Sequence, residues 1–201
     1  MRKLFAIGLL LLFSVSSFSQ LTKEDRKMVT KHLKSTLKVL NKSVKGLSEA
    51  QMNFKADTDK WSIKECVYHL ALSETNLWGW IQGTVAAPAN PDKRANIKMT
   101  DVQVLTGVED RTHKVKTAEN FEPKNAKWNS VAEAMDFLKA ERQKHIDYLK
   151  GATDDYRNHV AEQTPLGPLD AYQLILLMSQ HTVRHSKQID EVKTSPGYPA
   201  N

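Results

Sequence analysis

Leu174-Ile175-Leu176-Leu177-Met178-Ser179-Gln180-His181-Thr182-Val183-Arg184-His185 is the stretch on which the fold of this chain turns. Ala171, Leu174, Ile175 and Met178, followed by Ile189 and Val192, trace the i, i+3, i+4, i+7 stripe of a helix face turned toward a core. His181 and His185 fall inside that stripe. A helix turns about 100° per residue, so residues four apart stand one above the other. Two imidazoles are thereby aimed into the interior together. Such a pair can be a surface pair at a cap, two core residues satisfied by hydrogen bonds, or two ligands of one ion. It is not a zincin motif, which needs Glu directly after the first His; position 182 is Thr.

Working outward, the pattern predicts a helix over about 169–193, stopped by Ser195-Pro196-Gly197-Tyr198-Pro199. Trp61-Ser62-Ile63-Lys64-Glu65 is the clearest helix start in the chain, an S-x-x-E capping box, and its helix runs to about Thr84. His69 shares a face with Cys66, Ser73, Leu77 and Trp80 and so points inward. It is either a satisfied core histidine or a third ligand. Glu65, one turn earlier, could orient its ring, but its place in the box is the simpler role. Cys66 reads as a buried thiol rather than a fourth ligand. Asn129-Ser130-Val131-Ala132-Glu133 is a second box, opening a helix that ends at Lys150 before Gly151. Its face carries Val131, Ala134, Phe137, Leu138, Glu141, His145, Tyr148 and Leu149. His145 is therefore the rival third ligand, although Lys144 and Asp147 beside it suggest a solvated edge.

A further helix is expected over 23–45, capped by Thr22, with Met28, Val29, Leu33, Leu37, Leu40 and Val44 on its apolar face and Gly46 just past its end. Leu47-Ser48-Glu49-Ala50-Gln51 starts one short capped turn, and residues 53–60 read as a loop. Residues 85–129 are the least regular part. Pro88 and Pro91 break the chain, a helix can run from Thr100 to about Ala118, and Pro123 and Asn125 break it again. An insertion of this length is expected to act as a lid or packing excursion. His113, beside Lys114 and Lys116, is expected at the surface. No run of alternating polarity supports a sheet. Four long amphipathic helices make an all-α four-helix bundle with an extra helical and loop insertion between the second and third. Bundles build metal sites in their cores from side chains on facing helices.

The 201 residues bound one domain, at most two. Residues 1–19 read as a signal peptide: Met1-Arg2-Lys3 is basic, Leu4 to Val15 is apolar, and Ser17-Phe18-Ser19 offers small residues for cleavage before Gln20. The apolar run is too short for a transmembrane helix of about 20 residues. The expected domain is then 20–201, periplasmic or secreted, with no stable membrane insertion after cleavage. Loss of Arg2 and Lys3 lowers the net charge from +6 to +4. The lysines are dispersed, with no Arg-rich block and no interleaved aromatics, so nucleic acid is not the expected partner. Cys66 is the only cysteine, so stability must come from a packed core rather than an internal disulfide.

Trp61-Ser62-Ile63-Lys64-Glu65-Cys66-Val67-Tyr68-His69-Leu70 resembles the W-S-x-x-E-x-x-x-H-L signature of the DinB-like (damage-inducible, YfiT-type) superfamily, which is distinct from the DNA polymerase sharing the name. Leu47–Gln51 is similar to the segment that leads into that signature. His181-x-x-x-His185-x-x-Gln188-Ile189 is similar to its last-helix motif, and Pro196-Gly197-Tyr198-Pro199 to its terminal segment. The resemblance covers most of residues 22–199. It implies a four-helix bundle, often a homodimer, with a three-histidine site for zinc or nickel. Carried onto this chain, the ligands are His69, His181 and His185, which settles the rivalry with His145 in favour of His69. The chain departs from the family pattern in its leader and its enlarged 85–129 segment.

Two functions follow as expectations. One is a metal-dependent hydrolase or thiol-type transferase acting on a small molecule. The other is a non-catalytic metal- or ligand-binding bundle of the cell envelope. No second catalytic residue is identifiable, and neither Glu65 nor Tyr68 is assigned a part in proton transfer.

Overall fold

The computed structural model describes residues 20–112 and 115–200. The signal-peptide expectation for residues 1–19 and the surface expectation for His113 lie outside the described residues.

Among the described residues six α-helices form in chain order: α1 (Lys23–Val44), α2 (Glu49–Asn53), α3 (Ile63–Ala86), α4 (Asp101–Glu109), α5 (Val131–Gly151) and α6 (Ala171–Lys193). Their starts follow from local chemistry. Thr22, Ser48, Ser62, Thr100 and Asp170 each accept from a backbone N–H three residues on, and the residue there reaches back to the cap. These reciprocal bonds satisfy amides that a helix start leaves unpaired. The box expected at Ser130 forms only half. Ser130 caps the Glu133 amide, but Glu133 Oε2 accepts from the Asn129 N–H instead, at 2.9 Å. Gly46, with φ of +76°, supplies the left-handed residue after α1.

The long helices α1, α3, α5 and α6 make the all-α bundle. The first half of α6, Ala171 to Gln180, is buried on every side. It packs against α1, α3 and α4, while α5 packs on α1 and α3. A mostly apolar circumference is what such a central position requires, and its buried Gln173 and Gln180 are hydrogen-bonded to Met99 O and Glu109. The insertion is therefore an active part of the core, because α4 lays Val104 and Val108 onto it. Arg157 ties this arrangement together, reaching Asp101 at the start of α4 (2.8 Å) and Asp170 at the start of α6 (3.1 Å).

Two features correct the sequence reading. The helix from Thr100 ends at Glu109, not near Ala118. Asp110 Oδ1 accepts from both the backbone N–H and the hydroxyl of Thr112, an Asx turn that replaces the next helical bonds. A minimal antiparallel pair, Val160–Ala161 (β1) with Leu169–Asp170 (β2), also forms, too short to alter the class. The C-terminal segment folds back: Tyr198 packs edge-on to Phe54, and Pro199 O accepts from Gln51 Nε2. Among the described residues no helix is long and apolar enough to cross a membrane.

The core consists of two apolar clusters. One gathers around Leu33, Ile146, Leu149 and Leu174, the other around Leu40, Ile63, Val67 and Leu138. A polar layer separates them. Thr36 of α1, Glu74 of α3, Arg142 of α5 and Thr182 of α6 meet there, all buried.

Candidate metal centre

Three histidine rings converge where α3 faces α6. His69 projects from the second turn of α3, whose entry is fixed by the Ser62–Glu65 box. His181 and His185 project from one face of α6, as their spacing demands. His181 Nε2 lies 3.1 Å from His69 Nε2 and 3.0 Å from His185 Nε2. The ring centroids are 4.5 to 4.9 Å apart. His69 and His185 are buried, and His181 is partly open.

The outer nitrogens decide which way the inner lone pairs point. His69 Nδ1 lies 2.7 Å from the Phe121 carbonyl oxygen, so it carries the proton and donates it. His185 Nδ1 lies 2.9 Å from Gln188 Oε1 and does the same. In both neutral rings Nε2 is then a bare acceptor. His181 can offer at most one Nε2 proton, so a neutral triad cannot satisfy all three convergent nitrogens from within. Ser73 Oγ, at 3.5 Å from His69 Nε2, is too distant to bond strongly. Three converging nitrogen donors are the ligand set of a borderline-soft divalent ion. Tetrahedral ligands about 2.0–2.1 Å from zinc stand about 3.3 Å from one another, close to the spacing here. The residues fit the group.

The electrostatics agree. Burial holds His69 down to about 4, against the one opposing effect of its bond to Phe121. His181 and His185 are held well below the ordinary imidazole value, first by burial and then by the neighbouring rings. The rings stay neutral at physiological pH, as ligation requires. Trp61 packs over His69 and stacks on His185 at 5.9 Å between centroids.

The rings open into a cavity of about 930 Å³, which Trp61 also lines. Leu77, Trp80, Leu166 and Leu177 give it an apolar wall, and Arg111 and Arg184 stand among its polar lining. Its size is that of a small-molecule site. Phe121 and Arg111 come from the 85–129 insertion, which thus supplies part of both the cavity wall and the outer partners of the rings.

All three sequence-predicted ligands meet, while the remaining candidates lie elsewhere. His145 corrects the expectation of a solvated edge. It is buried, donates to Glu74 Oε1 at 2.9 Å when its Nδ1 carries the proton, and stacks on Trp78 at 4.2 Å. Cys66 is buried apart from the triad, and burial pushes its thiol up to about 12, so it stays protonated. Glu65 closes its capping box and pairs with Lys55 at 2.8 Å. Tyr68 donates to the Trp128 carbonyl oxygen, away from the rings. His159 bonds the Asp155 carbonyl oxygen.

The sequence reading passed over Glu74 and Arg142. Both sit in apolar stripes: Glu74 between Leu70 and Leu77, Arg142 between Leu138 and Leu149. A charge at a core-facing position is the signal that would have found them, since it demands a buried partner. Gln188 was noted within a motif, but its bond to His185 needed the structure.

A helical bundle whose facing helices bring three neutral histidines together beside a cavity defines a metal-binding bundle. The chain belongs to the DinB superfamily, whose model matches residues 32–189. It is similar to the uncharacterized protein YuaE of Bacillus subtilis (strain 168), with 26% identity over 152 residues, 75% of this chain and 88% of that one. Its fold is similar to that of YfiT from Bacillus subtilis, described as "a probable metal-dependent hydrolase with an unusual four-helix bundle topology". That likeness has a TM-score of 0.54 and covers 90% of this chain and 99% of YfiT. At 13% identity it speaks for the fold alone.

Proposed function

We propose that His69, His181 and His185 hold one divalent ion, zinc or nickel, and that the protein is a metal-dependent hydrolase or transferase acting on a small molecule. The observation that carries this is the position of the triad: three inner nitrogens converge at the wall of the 930 Å³ cavity rather than inside closed packing. Three neutral ligands leave the ion its full charge, and it would supply a Lewis acid that eases deprotonation of a water or thiol nucleophile. The chain's own residues do the rest. Phe121 O and Gln188 Oε1 orient two rings. Trp61 packs on both of those rings, and the apolar wall takes the body of a substrate.

The competing reading, a non-catalytic metal- or ligand-binding bundle of the envelope, predicts a core filled up to the ion. The cavity beside the rings favours the enzyme. We further propose that the mature chain begins at Gln20 and is periplasmic or secreted, working alone or as a homodimer, without nucleic acid as a partner.

The test is cobalt substitution combined with a panel of small esters. The enzyme reading expects azide to shift the visible spectrum of the cobalt protein, and expects ester hydrolysis that chelation abolishes and zinc or nickel restores. A bound metal whose spectrum ignores azide, with no turnover, supports the binding reading instead.

A further inference from the structure

The outer partners of the triad form a connected chain leading out of α6. His185 Nδ1 donates to Gln188 Oε1 at 2.9 Å. Arg111 Nη1 points at the same oxygen, at 3.3 Å. A guanidinium can only donate, so the Gln188 atom facing it must be the oxygen. This fixes the orientation of the amide, which the His185 contact alone would leave open, since an imidazole can either donate or accept. Arg111 is in turn held by a fork: Nε and Nη2 each reach one oxygen of Glu191 at 2.6 Å. Such paired charge-assisted bonds hold a guanidinium in one plane.

Arg111 belongs to the segment that leaves α4, beside the Asx turn at Asp110. Glu191 lies on α6, three residues and so about one turn beyond Gln188. The fork therefore aims the third arm of Arg111 at Gln188. With the amide oxygen pinned, His185 is confined to the tautomer that carries its proton on Nδ1 and presents a bare Nε2 to the other rings.

We propose that Gln188 is the positioning residue that sets the tautomer of His185, and that Arg111, anchored by Glu191, orients Gln188, coupling the insertion to the metal centre. The inference rests on the three-histidine reading for its effect on metal, but the tautomer is a property of the metal-free protein as well. Phe121 O serves His69 similarly from the same insertion, so the segment that enlarges this chain supplies an outer support for two of the three rings. Outer partners of this kind orient ligands and raise their basicity, and losing one typically lowers metal affinity 10- to 100-fold.

The experiment uses the full mature chain, with Gln188→Leu, Gln188→Glu and Arg111→Ala, and two readouts. Gln188 is half-exposed, so these variants are expected to fold, checked by far-UV circular dichroism. Nitrogen-15 NMR of the metal-free protein reads the His185 tautomer. The Nδ1–H form should dominate in the wild type and in Gln188→Glu, and give way to a mixture in Gln188→Leu. Chelator competition reads zinc affinity. Gln188→Leu should weaken it about 10- to 100-fold, Gln188→Glu should restore it, and Arg111→Ala should fall between. A merely structural role would move neither the tautomer nor the rescue by Glu. The proposal is overturned if Gln188→Leu keeps the wild-type tautomer, or if it binds zinc within about twofold of the wild type. Wild-type protein that binds no zinc yet shows the expected tautomers would instead overturn the metal reading and leave this one standing.

Discussion

Two buried polar clusters lie within one bundle, and they differ in whether their demands close. In the layer between the two apolar clusters, Arg142 forks onto Glu74 with two bonds of 2.6 Å. Its remaining donors reach Leu33 O, Thr36 Oγ1 and Thr182 Oγ1, and His145 completes Glu74. Charges cancel, and each donor finds an acceptor. The histidine triad begins at His181, the residue preceding Thr182, and behaves oppositely. The outer nitrogens of His69 and His185 are supported by the protein, while the inner ones of all three rings face one another across the space an ion would fill. A cluster that closes on itself serves the fold. One that converges without closing marks a ligand site. The same comparison explains why His145 is not a ligand: Glu74 already occupies it.

The largest expected consequence falls on the closed cluster. Arg142→Met would leave the Glu74 carboxylate buried with its principal counter-charge gone. Burial alone would raise that carboxyl, whereas Arg142 and His145 hold it below the usual range. Removing one partner of a buried pair costs about 3–5 kcal/mol. Urea denaturation should show a loss of that size, and a loss below about 1 kcal/mol would mean that the layer behaves like a surface pair.

Acid should act next most strongly, and on the open cluster first. His69 is depressed in the folded, metal-free protein from 6.5 to about 4. Between those values the unfolded chain binds the proton that the folded chain refuses, so stability falls as pH falls through this window and levels off below it. A depression of that size corresponds to roughly 3 kcal/mol from His69 alone, at about 1.4 kcal/mol per pH unit. His181 and His185 add in the same direction. Glu74 loses its contribution only below the ordinary carboxyl range, so the two clusters separate along the pH axis. Urea midpoints in chelator at pH 7, 5.5 and 4.5 test this, and a flat profile from 7 to 5 would argue that the rings are already solvated.

The smallest effect should come from His181→Ala without metal. The ring is partly open, and its removal relieves a crowd of acceptors, so metal-free stability should change by less than about 1 kcal/mol. A loss comparable to Arg142→Met would reveal a structural role that the geometry does not suggest.

Much of the fold was legible because its signals are local. The caps at Thr22, Ser62 and Ser130, the Gly46 stop and the stripe on α6 each report on neighbours a few residues away. The pairing of His181 with His185 is local for the same reason. Choosing His69 over His145 was not. Both occupy inward faces of long helices, and the resemblance to a family, not periodicity, separated them. What separates them physically is Glu74, which lies 71 residues from His145 in sequence. The early end of α4 was also hidden, since Asp110 stops it through its own side chain while the sequence pattern carries on. The insertion's role depended on Phe121 reaching back to His69 and Arg111 to Gln188, contacts that no local pattern encodes.

The metal centre is tested most directly by elemental analysis and zinc titration of the wild type, His181→Ala and His159→Ala side by side. The wild type and His159→Ala should each bind one divalent ion per chain, and binding should raise their melting temperature. His181→Ala should be folded but bind almost none, because two remaining imidazoles make a poor chelate. Full metal stoichiometry in the His181→Ala protein would contradict the three-histidine site.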